Sequence, residues 1–289
     1  MYYIFMILLS FGFGLIGLFN SSLVFLTILL EIMSLVFIIS FFFNSGPASY
    51  NVPFKAAVLF FVVTSFSGLL LLSGWVINNI TLLALGIIFK LGIFPFSGWM
   101  ISLYSISGWM PIFLLSTFFK LPIIFICSIS NFWSSFIVSY ELIFFFTFLV
   151  SIWVLLNSNN YWSSLIVSTS LSSSINLIIF GSSGNFLYFL VYFILGCFYI
   201  FILLYLFLRN SEIILFYNVP VMFLFLLFPF PWSFIILYKI LGAFMYSCLS
   251  LYFFTFIFWL SYSIVEQVFY YWFFISESTN ILGFSSETR

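Results

Sequence analysis

The chain has no histidine and no aspartate. Without histidine there is no His-ligated haem, no zinc site of the usual kind and no Ser-His-Asp triad. The three cysteines, Cys127, Cys197 and Cys248, lie far apart in apolar runs and form no Cys-x-x-Cys pair, so buried inert thiols are expected rather than a metal or redox centre. Nor is there a basic run, which leaves nucleic-acid binding without support. Cysteine clusters and Gly-rich phosphate loops are missing too, so no cofactor is expected in this chain.

Charge of either sign is scarce. Only 4% of the 289 residues are charged, with six Lys and Arg against six acidic residues, while 65% are hydrophobic. A soluble domain carries roughly a quarter charged residues, so this composition indicates an all-α polytopic membrane protein. A helical span takes about 20 apolar residues, and the chain has room for about ten such helices with short loops. Its first residues, MYYIFMILLSFGFG, show neither a positive n-region nor an Arg-rich amphipathic pattern, and are expected to form the first membrane helix rather than a leader. Phenylalanine occurs 48 times. Leucine would serve a lipid-facing position equally well, so the excess suggests T-rich codons, as in a small AT-rich organelle genome.

Clusters of Gly, Pro, Asn and Ser punctuate the apolar sequence. They predict helices over residues 2–19, 23–43, 55–73, 78–104, 111–129, 139–156, 162–180, 185–208, 219–245 and 247–274, followed by a polar tail over 276–289. The fourth is interrupted at Gly92 and Pro95, the ninth at Pro229 and Pro231, and each carries a lysine beside its break, Lys90 and Lys239. Two broken segments five helices apart point to a transporter-like inverted repeat. A single membrane domain over residues 1–275, with halves at about 1–130 and 136–275, is therefore expected. An even helix count puts both termini on one side, together with Lys55, Arg209 and Arg289. By the positive-inside tendency this is the cytoplasmic or matrix side.

Four charges fall deep within predicted helices: Glu31, Lys90, Lys120 and Lys239. A charge in the hydrocarbon is costly, so it marks a functional site by default. Lys90 and Lys120 lie too far from the helix ends to snorkel easily. Glu31 and Lys90 are natural partners, since each offsets the other's desolvation. Burial disfavours an ammonium and a nearby carboxylate favours it. A lysine whose glutamate moves closer or farther therefore takes up or releases a proton, which Lys120 and then Lys239 could receive through ordered water. Glu266 is as readily bland as functional, and Glu141 is expected at the interface. The hydroxyl cluster Ser168-Thr169-Ser170 with Ser172-Ser173-Ser174 either lines a hydrated route or packs helices together.

Around these residues the chain resembles the mitochondrially encoded NADH dehydrogenase subunit 2 family, antiporter-like subunits of respiratory complex I. The resemblance rests on Leu30-Glu31-Ile32-Met33 in an early helix and on Lys90-Leu91-Gly92-Ile93-Phe94-Pro95-Phe96 followed by Trp99. It extends to Lys120-Leu121-Pro122 and, more loosely, to the stretch from Phe228 to Lys239. Ser97-Gly98 stand where that family commonly has a histidine. The resemblance implies an antiporter-like fold of two inverted five-helix halves, with Glu31, Lys90, Lys120 and Lys239 as a proton relay. It also implies the mitochondrial inner membrane, termini on the matrix side, and neighbouring antiporter-like subunits and lipids as contacts. NADH, FMN, iron–sulfur clusters and ubiquinone would belong to partner subunits. Two other readings stay open: a standalone cation/proton antiporter, which usually needs a mid-membrane aspartate, and a structural subunit of the same complex that does not pump.

Overall fold

A computed structural model describes residues 22–42, 51–120, 122–123, 137–157, 161–182, 186–210, 234–248 and 254–269, with isolated positions 9, 12, 16 and 272. Most of the predicted first helix, the Pro229 and Pro231 break and the polar tail lie outside the described residues. Among the described residues all regular structure is helical. The helices are α1 (Leu23–Phe42), α2 (Asn51–Val76), α3 (Ile80–Leu91), α4 (Gly98–Ile106), α5 (Trp109–Ser116), α6 (Ile137–Leu156), α7 (Tyr161–Ser182), α8 (Phe186–Asn210) and α9 (Phe234–Cys248), then α10 (Phe254–Phe269). Three helical stretches, Val24–Phe42, Pro53–Val76 and Ser164–Gly181, are long and apolar enough to cross a membrane.

α1 and α2 turn large apolar side chains outward as well as inward, as lipid favours. In α1 the residues Phe25, Ile28, Ile32, Leu35, Ile39 and Phe42 form an exposed stripe at helical spacing, while Leu26, Leu30, Met33 and Phe37 are buried. In α2, Val58, Phe61, Val62, Phe66 and Leu69 face outward. α2 begins at Asn51, earlier than predicted, because Pro53 in the first turn sacrifices an N–H that has no helical partner there anyway.

α2 and α3 form a tight hairpin. Asn79 caps α3 by accepting from the Thr81 N–H at 3.0 Å. Two glycines allow the backbones to approach: a Cβ at Gly74 would lie 2.7 Å from the Leu83 nitrogen, and one at Gly86 would lie 3.1 Å from the Leu71 nitrogen.

The break expected in the fourth helix is present between α3 and α4. Gly92 adopts φ 64° and ψ 32°, a left-handed conformation that glycine adopts without a Cβ penalty. Its N–H bonds the Phe89 carbonyl at 3.2 Å, and the Ile93 N–H reaches back to the Ile88 carbonyl at 3.0 Å. This is a Schellman cap, which closes a helix end with its carbonyls satisfied. The indole N–H of Trp99 adds a bond to the Phe89 carbonyl at 3.0 Å. Pro95 lies in the same break, after a cis peptide bond to Phe94.

The fifth helix was expected to run unbroken over 111–129, and that expectation is corrected. α5 stops at Ser116, Thr117 leaves helical geometry at φ −114° and ψ −82°, and Phe118–Lys120 form a 3-10 turn. Pro122 accounts for this. It has no N–H to give the Phe118 carbonyl, and its ring would clash with that carbonyl in a continuous helix.

Two short helices between the breaks join the two parts of the chain: α4 packs on α7, and α5 packs on α8. α7 is the innermost helix, with every residue of Ser164–Gly181 buried. Its hydroxyls survive there by bonding the preceding turn, as in Ser168 to the Leu165 carbonyl at 2.9 Å and Ser174 to the Leu171 carbonyl at 2.6 Å.

Candidate functional site: three lysines within the helix bundle

Lys90 occupies the last turn of α3, just before the Gly92 cap, where the carbonyl end of the helix dipole favours a cation. Its Nζ donates to Glu31 Oε1 at 2.7 Å. The Lys90 side chain is 0% exposed and that of Glu31 is 36% exposed. The ammonium also sits 5.7 Å from the centre of the Phe119 ring, within cation–π range. Phe119 is held edge-on between Phe37 at 5.4 Å and Phe60 at 5.5 Å, so an aromatic floor from α1, α2 and the 3-10 turn lies against the lysine. Gly68 on α2 leaves room for the carboxylate, since a Cβ there would collide with Glu31 Oε1. The structure therefore brings together the Glu31 and Lys90 that the sequence paired.

Lys120 is held differently. The 3-10 turn carries it, and the side chain crosses to α7. Nζ donates to the Ser170 carbonyl at 2.6 Å, Ser170 Oγ at 3.1 Å and Ser173 Oγ at 2.8 Å. Three donors meet three neutral acceptors. Among the described residues no carboxylate lies within ion-pair distance of it. Tyr104 of α4 shares Ser170 Oγ at 3.0 Å. Of the serine cluster singled out in the sequence, Ser170 and Ser173 bind the buried lysine, while Ser168, Thr169, Ser172 and Ser174 bond the preceding turn of their own helix.

Lys239, on α9, pairs with Glu266 Oε2 of α10 at 3.0 Å and donates to the Ser263 carbonyl at 3.2 Å. Lys239 is 14% exposed and Glu266 only 3%. Tyr199 of α8 donates its hydroxyl to Glu266 Oε1 in a short hydrogen bond. The sequence leaves Glu266 as readily bland as functional, because it carries no sign of which helix packs on α9. Glu141, in the early turns of α6, is partly exposed.

A second polar group, also missed in the sequence, lies between these lysines. Asn176 of α7 donates to the Tyr192 hydroxyl at 2.8 Å, Tyr192 donates to Tyr238 at 2.6 Å, and Tyr246 donates to Asn176 Oδ1 at 2.7 Å. Each hydroxyl is buried, and such groups must find partners. A small, mostly apolar cavity is lined by Thr117, Ser173, Leu177 and Phe193 together with Tyr192 and Tyr238.

Chemically, this set can hold and move protons. No group of three or more His, Cys, Asp or Glu residues that could hold a metal occurs among the described residues. No protein-family model matches the chain, and no curated protein matches it. Among solved structures, the fold is similar to a chain of respiratory complex I from Thermus thermophilus with bound Aureothin. The TM-score is 0.67 and the identity 15%, covering 87% of this chain and 64% of that one. The present chain thus spans 64% of the length of its structural neighbour. At this identity the likeness is one of fold: the chain is folded like a chain of respiratory complex I.

Proposed function

We propose that this chain is a membrane-arm subunit of NADH:ubiquinone oxidoreductase and carries protons along Glu31, Lys90, Lys120 and Lys239. The observation that carries this reading is the wholly buried Lys90, placed at a helix break and bonded to Glu31 at 2.7 Å. A lysine kept for structure alone would be replaced at lower cost by an apolar residue, because burying an ion pair rarely adds net stability. The likeness in fold to a complex I chain supports the choice of complex.

In this reading the Glu31–Lys90 contact is the switch. A closed pair favours the charged lysine, and an opened pair favours release of its proton toward Lys120. Among the described residues Lys120 has only neutral acceptors, so its ammonium is less strongly held than one beside a carboxylate. It can accept a proton and give it up again. Moving one charge against 100 mV takes about 2.3 kcal/mol, a scale that the opening of one buried pair supplies. NADH, FMN, iron–sulfur and ubiquinone chemistry belong to partner subunits in this reading. The relay residues are set in ten spans arranged as two inverted halves, in the mitochondrial inner membrane, with termini on the matrix side. Neighbouring membrane subunits cover the exposed side of Glu31, where a bare carboxylate facing lipid would be costly.

The test begins with native gel electrophoresis of mildly solubilised source membranes, with NADH dehydrogenase staining and mass spectrometry of the bands. The chain is expected in the large NADH-oxidising band. Its presence only in small unstained species would overturn the assignment and favour a standalone transporter. Lys90→Met in the assembled complex then separates a pump from a scaffold: fewer protons moved per NADH oxidised is expected, and an unchanged ratio would leave a structural subunit.

A further inference from the structure

The geometry points to Glu266 as the carboxylate that gates Lys239, with Tyr199 as the residue that positions it. This gives the later part of the chain its own glutamate–lysine switch. The inference rests on the proton-carrying reading above and deepens it.

Glu31 lies on the predicted second helix and Lys90 on the fourth. An inverted repeat with an offset of five would place the second acid on the predicted seventh helix, opposite Lys239 on the ninth. That helix is α7, and residues 164–181 contain Ser, Thr and Asn but no acid. The acid comes instead from α10. Both Glu266 oxygens are engaged, Oε1 by the Tyr199 hydroxyl and Oε2 by Lys239 at 3.0 Å. Lys239 is anchored to the same helix a second time, through the Ser263 carbonyl at 3.2 Å. A carboxylate that only neutralised a snorkelling lysine would sit on the open side of the pair. Here the carboxylate is the deeper member and the lysine the partly exposed one.

The pair also lies next to the tyrosine cluster. The Tyr199 ring stacks on Tyr238 with centroids 5.6 Å apart, and Tyr238 accepts from Tyr192 at 2.6 Å. Tyr192 and Tyr238 share a cavity with Ser173, which binds Lys120 at 2.8 Å. When the Glu266–Lys239 contact opens, Lys239 loses the anion that favours its charged form and gives its proton to water on its exposed side. Closure favours uptake of the next proton, from the Lys120 direction.

The experiment uses the intact complex in source-membrane vesicles, with the full chain carrying E266Q, E266D, Y199F or K90M. Proton uptake is read with a pH-sensitive dye at matched rates of NADH oxidation, and assembly is read on native gels. We expect E266Q to lower protons moved per NADH by about two-fold or more, the scale of coupling changes from single residues. E266D, which keeps the carboxylate, should recover at least half of that loss, and Y199F should fall between E266Q and the unchanged chain. An unchanged ratio in E266Q, or equal losses in E266Q and E266D, overturns the inference. If E266Q fails to assemble, Y199F decides: a lowered ratio supports the gate and an unchanged one overturns it. K90M separates the two claims. A loss in K90M without one in E266Q removes only the gate, whereas no loss in either removes the proton-carrying reading with it.

Discussion

The two ion pairs are inverted in depth. In Glu31–Lys90 the cation is sealed and the carboxylate is half-open; in Lys239–Glu266 the carboxylate is sealed and the cation is partly open. Their supports differ to match. Lys90 rests on the aromatic floor at Phe119 and on the carbonyl end of α3, both of which suit a cation. Glu266 rests on a hydroxyl donor from Tyr199, which suits an anion. Lys120 stands between these extremes, with neutral oxygen acceptors only among the described residues. In each pair the scaffold surrounds one member and leaves the other nearer to its surroundings. The sealed member holds the site together, and the open member is the one free to exchange.

That asymmetry predicts which single substitution hurts more in each pair. Removing the open partner strands the sealed charge, whereas removing the sealed one leaves a charge that water or a headgroup can reach. E31Q should therefore destabilise more than K90M, and K239M more than E266Q. The stranding variants should cost about 3–5 kcal/mol and their counterparts clearly less. Thermal unfolding of the detergent-solubilised complex measures this, and the reverse ranking in either pair would break the comparison. Next in size is G68A. Its methyl group would displace the Glu31 carboxylate from α2, an overpacking cost of about 1–3 kcal/mol. In E31A the same substitution should be nearly free, so a double-mutant cycle tests the contact. S173A should cost about 1–2 kcal/mol, because Lys120 loses one of its hydroxyl acceptors. Its effect should vanish in a K120M background, which neither paired lysine would show. W99F is the mildest. It removes one hydrogen bond to the Phe89 carbonyl, worth about 1 kcal/mol, and should loosen the end of α3 in amide exchange while leaving α9 and α10 unchanged.

Much of the framework was legible in the sequence because glycine and proline act locally. Gly92 announced the break after Lys90, and the spacing of polar clusters located α1, α2, α6 and α7 to within a few residues. Pro122 carried the same kind of information. Its missing N–H acts on the turn before it and breaks the helix at Thr117, upstream of the proline itself. The inward faces could not be read at all. In α1, Leu35 is exposed and Leu30 buried, yet lipid and protein interior select the same side chain. The partners of Lys239 and Lys120 were hidden for another reason. A glutamate 27 positions away on α10, or Ser170, 50 positions away on α7, leaves no periodic trace. Gly68 was invisible for the same reason, since its meaning lies in the Glu31 side chain across the helix interface.

The buried hydroxyls of α7 also bear on how the protein is made. Ser164–Gly181 has a mean hydropathy of 1.5, against 2.6 for Val24–Phe42. Insertion machinery selects segments by their apolarity, so the helix at the centre of the fold enters the bilayer least readily of the three candidate spans. α6 is made just before it and packs against it, and it offers the surface on which α7 can settle before α8 emerges. The surroundings of α7 are therefore completed only once α8, its next neighbour in the chain, has followed and packed against it.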